Sequence, residues 1–217
     1  MNPKTDRKNV ELRRLVGHLR DHIDVHRIIG INHNALKASA ISNVLLGHVQ
    51  RSALESAALI LCKIYESSAR NDLNSIPGII ESLPSTLLDE RQKSEFSSFG
   101  SKHGNDSRPT DARDFLKETL RLFCGTHSSS LEQFKEFRDK IGAHSEFNAT
   151  LEAVGSHDDL ETFFDFANDF YRLVSHSIHG VEAASVESRV GRGLVRLIES
   201  MGIADPRFDF ERDAARP

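Results

Sequence analysis

Residues 52–66, SALESAALILCKIYE, decide the fold class of this chain. Apolar residues occur nearly all round a helix drawn through this stretch, which is typical of a helix that runs through the centre of a protein. The stretch is the densest part of a longer segment, 34–69, that is rich in Ala and Leu and contains no Pro and no interior turn signal. We therefore predict a long central helix over 34–69.

Further helical patterns lie on both sides of this segment. Residues 8–29 place an apolar stripe on one helix face, formed by Leu12, Leu15, Val16, Leu19 and Ile23. Other helices are predicted to begin at Thr110 or Asp111, at the capping-box spacing of Ser129 and Glu132, at Ser156, and near residue 184, this last one ending near 200. Residues 98–109, SFGSKHGNDSRP, are rich in Gly, Ser and Asn and predict an exposed, mobile loop.

The composition agrees with an all-helical chain. The 217 residues include 13 Phe, 13 Gly, 6 Pro and no Trp, and runs of β-branched residues are scarce. This profile favours helices with Phe-filled seams over a sheet. We predict an all-α antiparallel helical bundle over residues 1–202, with a long central helix and an additional C-terminal helix, followed by a loose tail over 203–217.

Charge, cysteine content and hydropathy exclude several classes of protein. The net charge is −4, so binding to nucleic acid requires a local basic patch. Two cysteines are too few for a disulfide framework or a Cys-rich zinc site. No apolar run reaches the ~18 residues of a membrane span, and residues 1–14 carry no apolar signal-peptide core. We expect a cytoplasmic protein without membrane contact.

The candidate functional residues lie in 131–145, LEQFKEFRDKIGAHS. Three apolar residues form a seam on one helix face: Phe134, Phe137 and Ile141. With Phe134 at 0°, Arg138 falls at about 40° and His144 at about 280°, so the two flank the seam on opposite sides. Both would border a partner on this face, and a second copy would bring an Arg and a His from each chain to one cleft. The same residues also fit a surface Arg–Asp pair followed by a His at a helix end.

Residues 138–144, RDKIGAH, resemble the Arg-x(4–6)-His motif of the HEPN superfamily, all-α proteins that include many metal-independent ribonucleases. The wider segment FRDKIGAHS is similar to the AbiU-type abortive-infection branch. Upstream, LILCKIYESSARND followed by LNSIPGIIESL resembles the central helix of that branch and the short segment after it. The resemblance covers residues 32–147.

The resemblance implies a homodimeric endoribonuclease that acts in defence or as a toxin, without a metal or another cofactor. His144 is then the base or acid and Arg138 the phosphate clamp, roles that suit an imidazole and a guanidinium. The position after the Arg is commonly Asn, but Asp139 stands there; its charge can orient His144 or pair with Arg138, and it repels phosphate. The implied partners are RNA, a second copy, and a protein or nucleotidyltransferase-type antitoxin.

Two other functions remain open at this point. One is a non-catalytic HEPN module that binds a nucleotide, RNA or a protein partner, and the other is a purely structural helical dimer. Weaker RNA contacts are predicted at Lys140, Lys102, His103, Arg108 and His26. The basic stripe Arg189, Arg192 and Arg196 fits either a solvated face opposite the apolar residues Val186, Val190, Leu194 and Leu197 or a phosphate-contacting strip.

The remaining titratable residues are interpreted as structural. His18, His22 and His26 follow one another at metal-binding spacing, but no carboxylate or cysteine is predicted to converge on them, so we expect cleft-lining or core-edge histidines. Cys62 and Cys124 lie beside apolar residues and are predicted to be inert thiols of the core.

Overall fold

The computed structural model describes residues 3–38, 43–67, 74–143 and 155–203. Within these ranges the chain folds into nine α-helices and one π-helical turn, with no strand. The helices are α1 (Pro3–Ile31), α2 (His33–Ala38), α3 (Asn43–Tyr65), α4 (Ile76–Ser82), α5 (Glu90–Lys102), α6 (Ala112–Thr126), α7 (Ser128–Ala143), α8 (His157–Leu173) and α9 (Arg189–Ser200), and the π-turn is Val174–Ile178. The predicted all-α class is confirmed. None of the described helices has the length and apolar character needed to cross a membrane.

The centre of the fold is the pair α1 and α3, which pack along one another. The predicted face of α1 is confirmed, because Leu12, Val16, Leu19 and Ile23 are fully buried. The second half of α3 packs against α1, α7 and α8 and buries Leu61 completely. The Ala- and Leu-rich segment therefore does supply the central helix.

The predicted extent of that helix is wrong. α3 ends at Tyr65 rather than at residue 69, and the described residues at the other end of the segment belong to α2; residues 39–42, between α2 and α3, and residues 68–69 lie outside the described part. The short helix α2 buries Leu36 against Ile28 and Ile29 of α1 and against Ile198 of α9, in a second, smaller apolar cluster. Burial of this one side chain, which no helical periodicity shows, gives α2 its own packing site.

The predicted loop 98–109 is also wrong in part. α5 continues to Lys102 because Phe96 and Phe99 point into the core, and this burial outweighs the loop-like composition. The residues after Lys102 are fixed by hydrogen bonds of Asn105. The backbone N–H of Asn105 donates to the Gly100 carbonyl at 2.8 Å, and its buried side-chain amide donates to Thr119 at 2.8 Å.

Two of the predicted helix starts are confirmed and two are wrong. Asp111 and Ser156 are N-caps, as predicted, and Ser156 forms a capping box with Asp159. The capping box predicted at Ser129 is wrong, because α7 begins one residue earlier, at Ser128, and Ser129 is therefore inside the helix. The hydroxyl of the next residue, Ser130, donates to the Asp159 carboxylate. The last helix starts later than predicted, with Ser188 as its N-cap.

The buried face of α9 differs from the predicted one. Val190 and Leu197 are 49% and 55% exposed, whereas Ile198 is buried against α1 and α2. Gly191 is also buried, beside the Asp24 side chain. The Arg stripe is exposed, and Arg192 pairs with Glu187 at 2.7 Å. The predicted tail lies outside the described residues from 204 onward.

A buried charge network joins α1 to α8. The guanidinium of Arg20, whose side chain is 7% exposed, donates to Glu161 at 2.8 Å and also binds Asp24. It lies 5.2 Å from the centre of the Phe164 ring. Burial alone would raise the pKa of Glu161, but a neighbouring His157 and the charges of Arg20 and Arg27 lower that pKa to about 2.

Replacing Gly100 by Ala tests whether the predicted loop is packed. A Cβ there would lie 2.5 Å from the Asn105 carbonyl oxygen and 2.5 Å from the Phe115 ring, so we expect a loss of about 1–3 kcal/mol in the free energy of unfolding. Gly125→Ala is the matched control, since nothing surrounds its Cβ position on α6 and helix propensity favours Ala by up to about 1 kcal/mol. Urea denaturation measures both, and an unchanged midpoint for Gly100→Ala would contradict the packing.

Replacing Glu161 by Gln tests the buried network. Because the pKa of the folded-state carboxyl is about 2, its charge stabilises the fold above pH ~4.5 by about 3 kcal/mol, and this contribution is lost as pH falls toward 2. We expect the stability difference between wild type and the variant to be full at pH 7 and to vanish near pH 2. Glu118→Gln, at a position of α6 whose side chain is 45% exposed, should leave the denaturation midpoint unchanged at both pH values.

Candidate functional site

The seam predicted on α7 packs inside the chain. Phe134 is fully buried and Phe137 is 4% exposed. The Phe134 ring meets the Phe163 ring of α8 edge-on at 6.1 Å, and α7 also packs against α3. The chain itself therefore covers the face on which a partner was expected, whereas the flanks and the outer face of α7 remain exposed. The Ile141 side chain lies outside the described part.

Arg138 lies on one exposed flank and is paired with its neighbour in the sequence. Its Nε donates to Asp139 Oδ1 at 2.9 Å, and its Nη2 lies 2.8 Å from the same oxygen. The Arg138 side chain is 33% exposed and that of Asp139 is 67% exposed. The hydrogen bond that Arg138 donates to Asp139 raises the pKa of Arg138, so the guanidinium stays charged. Of the two roles considered for Asp139, the structure shows the pairing with Arg138.

The C-terminal end of α3 is the neighbour of this flank. Burial raises the pKa of the Cys62 thiol in α3, and the positive charges of Arg138 and Lys135 partly oppose that rise. The negative charge of Glu66, just past the end of α3, helps to raise the pKa of Arg138. Because the last carbonyls of a helix carry partial negative charge, the end of α3 favours the two cations beside it.

Neither cysteine is placed for nucleophilic chemistry. Burial raises the pKa of Cys124 to about 11 and also raises that of Cys62, so both remain thiols at neutral pH. This agrees with their interpretation as inert core residues.

The other predicted site residues fall into separate places. Lys140 is exposed on α7, whereas His144 lies outside the described residues. His26 exchanges hydrogen bonds with Gln50 in α3, and burial lowers its pKa. Since Gln50 and Cys62 are twelve residues apart on one helix, His26 lies about 18 Å from the Arg138 flank along α3. The structure does not bring His26 to the motif.

The predicted contacts at the end of α5 need one correction. His103 is not available to a ligand, because its side chain is 6% exposed, lies 3.1 Å from Asp169 and packs against the Phe166 ring. Lys102 pairs with the same Asp169 at 2.7 Å while remaining 56% exposed. Arg108 is exposed, as predicted.

The first histidines of α1 line a groove, as predicted. His18 and His22 face His48 and Val49 of α3 there. In the part of the chain that is described, no three His, Cys, Asp or Glu side chains are grouped so that they could hold a metal ion.

Comparison with known protein families identifies the chain. The model of a HEPN family, AbiU2, matches residues 4–189. This chain belongs to the AbiU2 family of HEPN domains. The AbiU2 match is wider than the sequence resemblance, since it includes α1 and α8, and it stops at the first residue of α9. No curated protein and no solved structure matches the chain.

Sequence reasoning missed one polar pair of this AbiU2 domain, which joins a buried histidine to a half-buried aspartate. Asp6 of α1 and His179, just after the π-turn, lie 2.6 Å apart, and the His179 side chain is 6% exposed. No periodic pattern or local motif marks these residues, because they come from opposite ends of the chain and meet only in the folded protein.

Proposed function

We propose that this AbiU2-family protein is a metal-independent endoribonuclease of the HEPN type that acts in defence or as a toxin. One observation carries the proposal: the Arg of the family motif, Arg138, stands charged on an exposed flank of α7, six positions before His144. A guanidinium in this position is accessible to a phosphate of a bound RNA strand.

The reaction is an internal transesterification. The 2′-hydroxyl oxygen attacks the adjacent phosphorus while His144 accepts its proton, and the bond from phosphorus to the 5′-oxygen breaks. The products are a 2′,3′-cyclic phosphate and a 5′-hydroxyl, whose oxygen receives a proton. Arg138 stabilises the charge that develops on the phosphate oxygens, for which it turns donors from Asp139 to the substrate.

The partners follow from the same proposal. The substrate is RNA, the active form is a homodimer in the cytoplasm, and a protein or a nucleotidyltransferase-type antitoxin restrains it. Since the Phe134 seam is covered by the chain itself, the second copy approaches the exposed flank of α7 rather than this seam.

Incubation of the purified protein with total RNA, with and without EDTA, tests the reaction. Cleavage is expected in both conditions, with products that end in a 2′,3′-cyclic phosphate. His144→Ala should abolish cleavage, and Arg138→Ala should lower the rate by about 10²–10³ through loss of charge stabilisation. Arg138→Lys should recover only part of that loss, because a point charge does not reproduce a bidentate contact.

Matched controls use exposed residues of the same type. His33→Ala on α2 and Arg13→Ala on α1 should cleave at the wild-type rate, since both lie away from α7. Wild-type cleavage by His144→Ala would overturn the mechanism. RNA binding without any cleavage by the wild type would support the non-catalytic HEPN module instead.

Replacing Asp139 by Asn tests whether the Asp139 carboxylate opposes RNA. Removing one negative charge next to the proposed phosphate contact is worth about 1 kcal/mol in water, so we expect binding to be tightened about fivefold at low salt. The measurement is titration of a fluorescent RNA with the variant in the His144→Ala background, which prevents cleavage. Glu199→Gln, at an exposed position of α9, should leave the affinity for RNA unchanged. Weaker binding by Asp139→Asn would mean that the carboxylate positions Arg138.

A further inference from the structure

An open groove between α1 and α3 is a surface feature that the proposed reaction leaves unused. It has a volume of about 540 Å³, which lies within the usual range of ligand sites. On the α3 side its lining includes three small residues, Ser52, Ala53 and Ser56, which leave room for a flat group between the two helices. Val25 of α1 and Val190 of α9 add apolar surface to the lining.

Three histidines line this groove, two from α1 and one from α3. His18 and His48 are exposed, whereas His22 is half-buried. Burial lowers the pKa of His22 despite the neighbouring charge of Asp21, so the His22 ring is uncharged at neutral pH. Histidine rings are among the groups on which proteins stack the splayed bases of single-stranded RNA. The groove therefore offers flat rings beside apolar side chains.

One carboxylate oxygen of the groove has no partner within the described part of the chain. Asp21 of α1 lines the groove and is half-buried, and its Oδ1 accepts a hydrogen bond from the Ser188 hydroxyl at 2.8 Å. Its second oxygen, Oδ2, accepts none there and is not buried. A carboxylate only accepts hydrogen bonds, and on a base it pairs with an exocyclic amino group, such as that of cytosine. Uracil carries a carbonyl oxygen in place of this amino group and cannot donate to Asp21 from that position.

The groove lies next to the Arg138 flank on the surface of α3. Ser56 precedes Cys62, the α3 residue whose thiol feels the Arg138 charge, by six positions, or about 9 Å along the helix axis. Around the helix the two are about 120° apart, with the exposed Leu59 midway between them. Lys63 is exposed on the Ser56 side and supplies a cation for the intervening backbone. An RNA strand held at Arg138 can therefore place a neighbouring base in the groove.

We propose that this groove binds an unpaired base of the RNA next to the scissile phosphate and selects a base with an exocyclic amino group, so that cytosine is preferred over uracil. The His22 ring stacks on the base, and Asp21 Oδ2 accepts the amino group. A base within a duplex is already stacked and paired, so the RNA is single-stranded at this position. The inference rests on the proposed ribonuclease function and names its specificity.

Titration of two short fluorescent RNAs of equal length, one of cytidine only and one of uridine only, tests the proposal. The His144→Ala background prevents cleavage, and both titrations use neutral pH and the same salt concentration. We expect the cytidine RNA to bind about tenfold more tightly, on the scale of one hydrogen bond to a charged acceptor. Asp21→Asn should remove this preference, because an amide can donate to uracil as well, while its oxygen still accepts from Ser188.

Matched controls separate the groove from general effects on RNA binding. Asp114→Asn, at an exposed position of α6, should leave the preference for cytidine unchanged. His22→Ala should weaken binding of both RNAs about tenfold through loss of stacking, whereas His33→Ala, at an exposed position of α2, should not. If His22→Ala does not fold, Asp21→Asn still decides the question, because it preserves the size of the side chain.

Equal affinity for the two RNAs, or a preference that survives Asp21→Asn, would overturn this role of the groove and leave the ribonuclease proposal standing. No binding of either RNA would overturn it as well, and if total RNA is also not cleaved, the ribonuclease proposal falls with it. A change in self-association of His22→Ala by light scattering, with unchanged affinity for both RNAs, would assign the groove to a protein contact instead.

Discussion

The pairing of α1 with α3 is the constraint on which the rest of the structure depends. Four side chains of α1 that recur every three or four residues are fully buried, and α3 meets them with Ala57, Ala58 and Leu61. Small residues such as these alanines allow two helices to approach closely. The helices α7, α8 and α9 each contact α1 or α3. A change that separated this pair would displace all three.

The position of the motif follows from that pairing. α7 packs against α3 and buries Phe134 and Phe137, and this choice of face fixes where the remaining side chains of α7 point. Arg138 is left on the flank beside the last turn of α3, where helix carbonyls favour positive charge. The same packing explains why the Arg138 side chain is partly exposed although the residue before it, Phe137, is buried.

The sequence predicted those parts of the structure that rest on local periodicity. The buried face of α1 and the caps Asp111 and Ser156 follow from patterns within a few residues. It failed where contacts distant in sequence compete with local signals. Burial of Phe99 keeps α5 helical through a Ser- and Gly-rich stretch, and Asp169 of α8 draws His103 inward. The pairing of Asp6 with His179 is beyond any local pattern for the same reason.

The charge distribution limits how the Arg138 flank of α7 could attract the proposed RNA substrate. The whole chain is acidic, with a net charge of −4, and at the motif Asp139 offsets the charge of Arg138. On the described part of α7, the exposed lysines Lys135 and Lys140 add a little positive charge. Since each neutralised phosphate adds about one unit to the salt dependence of binding, so few cations give a shallow dependence and weak non-specific affinity. The proposed recognition of RNA would therefore depend on close contacts around Arg138 rather than on long-range attraction.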